Sequence, residues 1–148
     1  MPRLIPVLFL IFLFACNNSS EESCAAPAET AVTSTNPNGD SELALLMRDM
    51  FKDSWKARQA VLKGENPGLD VETLERIHSA QATEPEKAAS PAFAAMSDTY
   101  LAAVKALNAA SDSAGLSKNY SLMIKQCEVC HQQFCPGPLV KIQKLRLN

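Results

Sequence analysis

The stretch "LSKNYSLMIKQCEVCHQQFCPGP", residues 116–138, decides how this 148-residue chain is expected to fold. Its apolar, thiol and imidazole side chains recur at helical spacing until the breaker "CPGP", which is the pattern of one helix face. That face consists of Leu116, Tyr120, Met123, Cys127, Cys130, His131 and Phe134. The stretch therefore predicts a buried helix, beginning between residues 112 and 117, that carries the two thiols and the imidazole of "CEVCH" into the interior.

Three more helices are predicted upstream by the same criterion. The first begins at the cap Ser41 and stops at the exit "GENPG", residues 64–68, the shorter second follows Asp70, and the third begins at the Ser90-Pro91 pair. Their inward faces are Leu43, Leu46, Met47, Met50, Ser54, Ala57 and Val61; Val71, Leu74, Ile77 and His78; and Phe93, Met96, Tyr100, Val104 and Leu107. No stretch alternates long enough to predict a buried strand. We expect an all-α fold, an antiparallel four-helix bundle over residues 41–148.

The N-terminus is predicted to be an export signal. Residues 1–16, "MPRLIPVLFLIFLFAC", contain one arginine and an apolar run that is too short to span a bilayer comfortably. The end of the run resembles the lipobox of bacterial lipoproteins, which implies removal of residues 1–15 and lipidation of Cys16. We therefore expect an exported protein, periplasmic or at the cell surface, that its N-terminal lipid anchors in a bacterial membrane. The alternative is a plain signal peptide that is cleaved elsewhere.

Residues 16–40 are rich in Asn, Ser, Glu, Thr, Ala and Pro and hold almost no large apolar residue, so a disordered tether is predicted there. Residues 41–148 are enough for one small domain. The formal net charge is −2, and no basic face with interleaved aromatic residues is visible, so nucleic acid is not an expected partner.

Three kinds of chemistry use cysteines and histidine as in "CEVCH". In haem attachment, Cys127 and Cys130 add across two vinyl groups, and His131 becomes an axial ligand of the iron. A redox dithiol needs its CxxC at a helix N-terminus after a strand, where the thiol pKa is lowered, whereas this motif lies deep inside a predicted helix. A zinc site could use Cys135 as well, but the only other histidine is His78, and a second CxxC or HxxxH element is missing. The motif favours one covalent haem c, and export agrees with it.

A four-helix chain with CxxCH on its last helix resembles the class II cytochromes c, the cytochrome c′ family. The resemblance covers about residues 41–135; "CEVCHQQF" carries it, with weaker likeness in "ALLMRDMF" and "AVLKGENP" of the first helix. It implies thioether anchors at Cys127 and Cys130, His131 as the fifth ligand, and haem beside the C-terminal helix. The chain departs from the family where "CPGPLVKIQKLRLN" continues beyond the motif.

In this family the first helix supplies the residue that faces the sixth position of the iron. A methionine there closes the iron and gives an electron carrier, whereas an apolar residue leaves it open to small gases. Met47 and Met50 both lie on the inward face, three residues apart, so both cannot sit squarely over the iron. Met47 is the first choice and Met50 the second, and the alternative is that both only fill the core.

The expected function is therefore one-electron transfer between redox partners that the sequence does not identify. The alternatives are a five-coordinate haem module that binds nitric oxide or carbon monoxide, and a haem-free zinc or dithiol lipoprotein. No nucleophile–base pair or general acid is visible, so enzymatic activity is not expected. Many class II cytochromes dimerise, and a homodimer is an open alternative.

Several side chains have predicted roles outside this site. Met96 and Met123 are expected to pack in the core, and His78 to be a partly exposed helix histidine. Cys24 and Cys135 could pair, or Cys135 could remain a buried thiol. In the C-terminal segment, Leu139, Ile142 and Leu145 could fold back over the haem edge, while Lys141, Lys144 and Arg146 are expected to form a solvated basic face, with haem propionates or an acidic partner as the alternative.

Overall fold

A computed structural model of the chain describes residues 40–147, in which the regular secondary structure is entirely helical and no strand occurs. The predicted all-α class is confirmed. The α-helices are α1 Glu42–Leu62, α2 Val71–Glu75, α3 Pro85–Ala88, α4 Pro91–Asn108, α5 Ser113–Phe134 and α6 Leu139–Ile142; 3-10 turns follow at Arg76–His78 and Gln143–Leu145. The signal peptide, the lipidated Cys16, the tether up to residue 39 and Cys24 lie outside these residues.

The long helices begin where local sequence signals predicted them. The hydroxyls of Ser41 and Ser90 accept the backbone N–H groups three residues further on, at 3.2 Å in both cases, and Asp112 caps α5 in the same way. Helix α1 ends before Gly64, which has φ +76°, a left-handed conformation that favours glycine. The second helix, predicted to be shorter than the others, consists of α2 and the 3-10 turn that follows it. Its apolar spacing stops at Ile77.

Helices α4 and α5 form an antiparallel hairpin, joined by the short connection 109–112. Phe93 at the start of α4 meets Phe134 at the end of α5, with ring centroids 5.5 Å apart and ring planes at 76°. Near the connection, the Asn119 side chain donates to the carbonyl of Ala106 at 2.9 Å. Contacts at both ends thus fix the register of the two helices.

Helix α1 packs against α5, and α2 packs against α4, so that one apolar core lies between the long helices. Its buried apolar residues are Leu46, Met50, Ala57, Val61, Leu74, Ile77, Ala80, Phe93, Tyr100, Leu101, Val104, Leu107, Leu116, Tyr120, Met123, Ile124, Ile142 and Leu145. Most of the predicted inward faces are in this set. Among residues 40–147, no helix combines the length and the apolar character needed to cross a bilayer.

Candidate functional site

The five predicted site residues that fall within the described part of the chain line one cavity. Cys127, Cys130 and His131 reach it from the last turns of α5, and Met47 and Met50 reach it from α1. The cavity has a volume of about 50 Å³, and most of its surface is apolar. The spacing of "CEVCH" on a helix therefore does bring its thiols and imidazole to the same place as the two methionines.

The two thiols of the motif are protonated and unbonded. Cys127 and Cys130 form no disulfide. Burial, reinforced by the neighbouring Cys130, raises the pKa of Cys127 to about 12, and burial also raises the pKa of Cys130. A redox dithiol needs a thiolate at neutral pH, so the raised pKa values of both thiols disfavour that chemistry.

His131 is oriented by the end of its own helix. Its Nδ1 lies 2.9 Å from the carbonyl oxygen of Cys135, and a carbonyl can only accept, so Nδ1–H donates. The hydrogen is thereby assigned to Nδ1, and Nε2 keeps its lone pair. Burial lowers the pKa of His131, against a smaller opposite effect of this hydrogen bond. The imidazole is thus neutral with Nε2 available, which is the form that binds a metal, and the carbonyl is a typical outer partner of such a ligand.

Three methionines reach the cavity, although sequence reasoning placed only two of them there. Met50 is buried in the core at 7% exposure, Met47 is partly buried beside it, and Met96 enters from α4. Met96 had been expected only to pack. Its position on the inward face of the third predicted helix was the available signal, but that signal does not distinguish a core residue from a cavity residue.

Helix α4 also brings two hydroxyl groups to the cavity: sequence reasoning placed Tyr100 on the inward face of this helix but missed Ser97. Ser97 and Tyr100 lie one turn apart, are 1% and 4% exposed, and both line the cavity. Within residues 40–147, Ser97 Oγ is the buried side-chain oxygen or nitrogen that has no hydrogen-bond partner. A serine three residues before a tyrosine on an otherwise apolar face was the signal that could have indicated Ser97.

The C-terminal segment, residues 136–147, forms one wall of the cavity. Ile142 and Leu145 are buried and line it, whereas Leu139, the third residue predicted to fold back, is only partly buried and does not line it. Tyr120 holds the segment in place: its hydroxyl donates to the carbonyl of Leu145 at 2.8 Å and lies 3.2 Å from that of Ser54. The Arg58 side chain adds a bond of 3.0 Å to the carbonyl of Arg146.

Arg146, one of the three cations expected on a solvated basic face, has a side chain that is 57% exposed and that also forms an ion pair. Its Nε and Nη2 donate to the two carboxylate oxygens of Glu128 at 2.6 and 2.9 Å. Glu128 is the residue between the motif cysteines and is only 3% exposed, so its carboxylate needs a cation. The partner comes from eighteen residues further along the chain, which is why helical spacing alone did not indicate the pair.

The remaining candidate ligands do not join the motif. Within the described residues, no three His, Cys, Asp or Glu side chains are close enough together to hold a metal ion. The Nε2 of His78 lies 3.2 Å from Asp98 on the molecular surface, away from the cavity. His78 therefore lies apart from the motif cysteines.

No family model matches the chain, and comparison with curated proteins and with solved structures finds no match either. Functional inference therefore rests on the geometry of the cavity. The class II cytochrome resemblance remains a prediction from the motif.

Proposed function

We propose that residues 41–148 form a c-type cytochrome domain with one covalent haem, and that it transfers single electrons between redox partner proteins. The observation that carries this proposal is that "CEVCH" directs two neutral thiols and an oriented, neutral imidazole into one apolar cavity. The orphaned Ser97 hydroxyl in the same cavity fits a site that holds a further group. The chemistry of these side chains therefore fits the haem that the motif implies, and the cavity of about 50 Å³ would have to open to admit it.

The chain's own residues would hold the group in three places. Cys127 and Cys130 would each add S–H across one vinyl group, the sulfur to one carbon and the hydrogen to the other, with no leaving group. His131 would bind the iron through Nε2, while its Nδ1–H bond to the Cys135 carbonyl keeps the ring oriented. When bound, haem supplies the one-electron iron couple. The apolar lining would exclude water from it.

Met47 is the sixth ligand that we propose, with Met50 second. Met50 is packed in the core, whereas Met47 is only partly buried and has more freedom to approach a bound group. A second candidate function is a five-coordinate iron that binds nitric oxide or carbon monoxide. The specific observation in its favour is the unpaired Ser97 hydroxyl, which could bind the oxygen atom of such a ligand.

We also propose that the helices form an antiparallel four-helix bundle. Helices α1, α4 and α5 are its three long members, and residues 71–88 occupy the remaining position, which is second in chain order. The α4–α5 hairpin and the packing of α1 on α5 and of α2 on α4 support this arrangement. Export and anchoring through a lipid on Cys16 complete the proposal. They place the domain where c-type haem is attached.

The test is to produce the full chain together with haem-maturation machinery and to measure its mass and absorption spectrum. We expect the mass of one haem, retained after denaturation. Substituting both Cys127 and Cys130 by alanine should abolish retention. The Cys135→Ala variant is the matched control and should still carry the group. A wild-type chain with no covalent haem would refute the proposal.

A further inference from the structure

One hydroxyl group in the cavity has no hydrogen-bond partner among the described residues. Ser97 Oγ has no hydrogen-bond partner within residues 40–147, although the side chain is 1% exposed. Tyr100, one turn further along α4, is 4% exposed and lines the same cavity, and burial raises the pKa of its hydroxyl well above the ordinary value. Tyr120 differs, because its hydroxyl meets two backbone carbonyls.

Buried hydroxyls are normally paired, because an unpaired donor has lost its bonds to water and gained none in exchange. Ser97 and Tyr100 lie one turn apart on α4, so both groups reach the cavity from the same wall. The facing walls present mainly thioether, thiol and hydrocarbon groups. Ser54, Gln126 and His131 also line the cavity and carry polar atoms, but Ser97 Oγ is bonded to none of them.

We propose that Ser97 and Tyr100 form a polar subsite of the cavity and donate hydrogen bonds to an oxygen atom of the group that it holds. The inference rests on the proposed haem site and adds to it the residues that recognise polar atoms. Two sources of such an oxygen exist in a haem site: a carboxylate of the macrocycle and a small ligand on the iron. Both are hydrogen-bond acceptors, and the two can be distinguished by experiment.

The first measurement compares thermal unfolding of the full chain with and without bound haem. We expect Ser97→Ala to leave the midpoint of the unloaded chain unchanged or to raise it, because an unpaired donor is removed. In the loaded chain the same substitution should lower the midpoint by roughly 4 °C, because a hydrogen bond is lost. Tyr100→Phe should behave in the same way, and the double variant should show the larger loss.

Two matched controls separate a ligand contact from a structural one. Ser121→Ala removes an exposed hydroxyl that donates within α5 and should affect both forms equally. Tyr120→Phe removes a hydroxyl bonded to the protein itself and should destabilise both forms. If Ser97→Ala and Tyr100→Phe destabilise both forms alike, or leave unchanged both the stability of the loaded form and the carbon monoxide band of the next experiment, the proposal is wrong.

The second measurement identifies the oxygen. In the reduced, loaded protein with bound carbon monoxide, loss of a donor to the iron ligand should move the C–O stretching band to higher frequency. A shift with Ser97→Ala or Tyr100→Phe places the subsite at the iron ligand. An unshifted band together with the loss of loaded stability places it at the carboxylate. A wild-type chain without haem would overturn the proposed function and this inference together, whereas a loaded chain insensitive to both substitutions would overturn only the inference.

Discussion

At the scale of single residues, His131 shows how a local contact determines chemistry. The hydrogen bond from its Nδ1 to the Cys135 carbonyl assigns the proton, and burial keeps the ring neutral. The hydrogen bond depends on where α5 ends, because its acceptor belongs to Cys135, the residue that caps the C-terminus of the helix. A histidine in the same motif but in the middle of a longer helix would lack this acceptor.

The lowered pKa of His131 predicts how the stability of the unloaded chain depends on pH. A group whose pKa is lower in the folded state binds fewer protons there than in the unfolded state. Its contribution to stability is thus present above the ordinary histidine pKa and is lost as the pH falls through that range, from about pH 7 to 5. Denaturant unfolding at several pH values should show this loss, and His131→Gln should reduce it.

His78→Gln is the matched control for that experiment, since it changes the chain's other histidine, which lies on the surface. The pH dependence should persist in this variant. An acid loss that His131→Gln leaves intact would contradict the assignment.

The two methionines of α1 should respond differently to substitution in the loaded protein. Leucine has nearly the volume of methionine, so packing should cost less than about 1.5 kcal/mol at either position. Met47→Leu should convert a six-coordinate spectrum to a five-coordinate one and make carbon monoxide binding faster, whereas Met50→Leu should change mainly stability. The reverse result would assign the sixth position to Met50. A spectrum that neither substitution changes would mean that both side chains only fill the core.

At the scale of elements, the C-terminal segment contributes a wall of the cavity that the long helices alone do not form. It closes the cavity with Ile142 and Leu145, and side-chain contacts from α1 and α5 hold it there. A cavity of about 50 Å³ has room for a few water molecules, not for a macrocycle. Loading therefore requires a wall to move, and this segment is attached by contacts that can be broken without unfolding a long helix.

Breaking the pair between Arg146 and Glu128 should loosen the segment. Arg146→Gln leaves a buried carboxylate without its cation, which favours opened states of the segment. In the unloaded chain, alkylation of Cys127 should accelerate, on the order of tenfold for each ~1.4 kcal/mol of lost local stability.

The double variant Arg146→Gln, Glu128→Gln provides the control, because two amides can bond each other without a buried charge. Its alkylation rate should return toward that of the wild type. Equal rates in all three proteins would show that the segment does not limit access to the thiol.

At the scale of the whole molecule, the two ends of the helical domain have different structural roles. The cavity lies at the end where α5 finishes, and the opposite end is held together by asparagine side chains. Asn108 accepts from the N–H of Leu69 at 2.9 Å and donates to its carbonyl at 2.7 Å, while Asn66 donates to the carbonyls of Asn108 and Ala110. These bonds fasten the connection after α1 to the α4–α5 turn.

Asn108→Ala should therefore lower the stability of the whole domain by about 1–3 kcal/mol, because two partly buried hydrogen bonds to Leu69 are lost. The rate of Cys127 alkylation under native conditions should change less than in Arg146→Gln. Asn119→Ala, which loses one exposed bond to Ala106, is the matched control and should cost less. Denaturant unfolding measures both variants, and an Asn108→Ala variant as stable as the wild type would contradict this role.

Much of the fold could be predicted from local signals. The caps Ser41 and Ser90, the turn at Gly64 and the apolar spacing of α1, α4 and α5 all act within a few residues, so they can be recognised without tertiary information. The short helices α2 and α3 were harder to predict, because one helical turn holds too few residues for a helical period to be visible.

The sequence by itself determined the helical class, the long helices and the placement of Cys127, Cys130 and His131 on one face, because those properties follow from spacing along a single helix. Only the tertiary structure decided which groups surround that face. The unpaired Ser97 hydroxyl and the pairing of Glu128 with Arg146 depend on other helices and on a segment that returns from the C-terminus. Hydrogen bonding and burial depend on neighbours in three dimensions. The spacing of residues along one helix does not determine which residues of other elements become those neighbours.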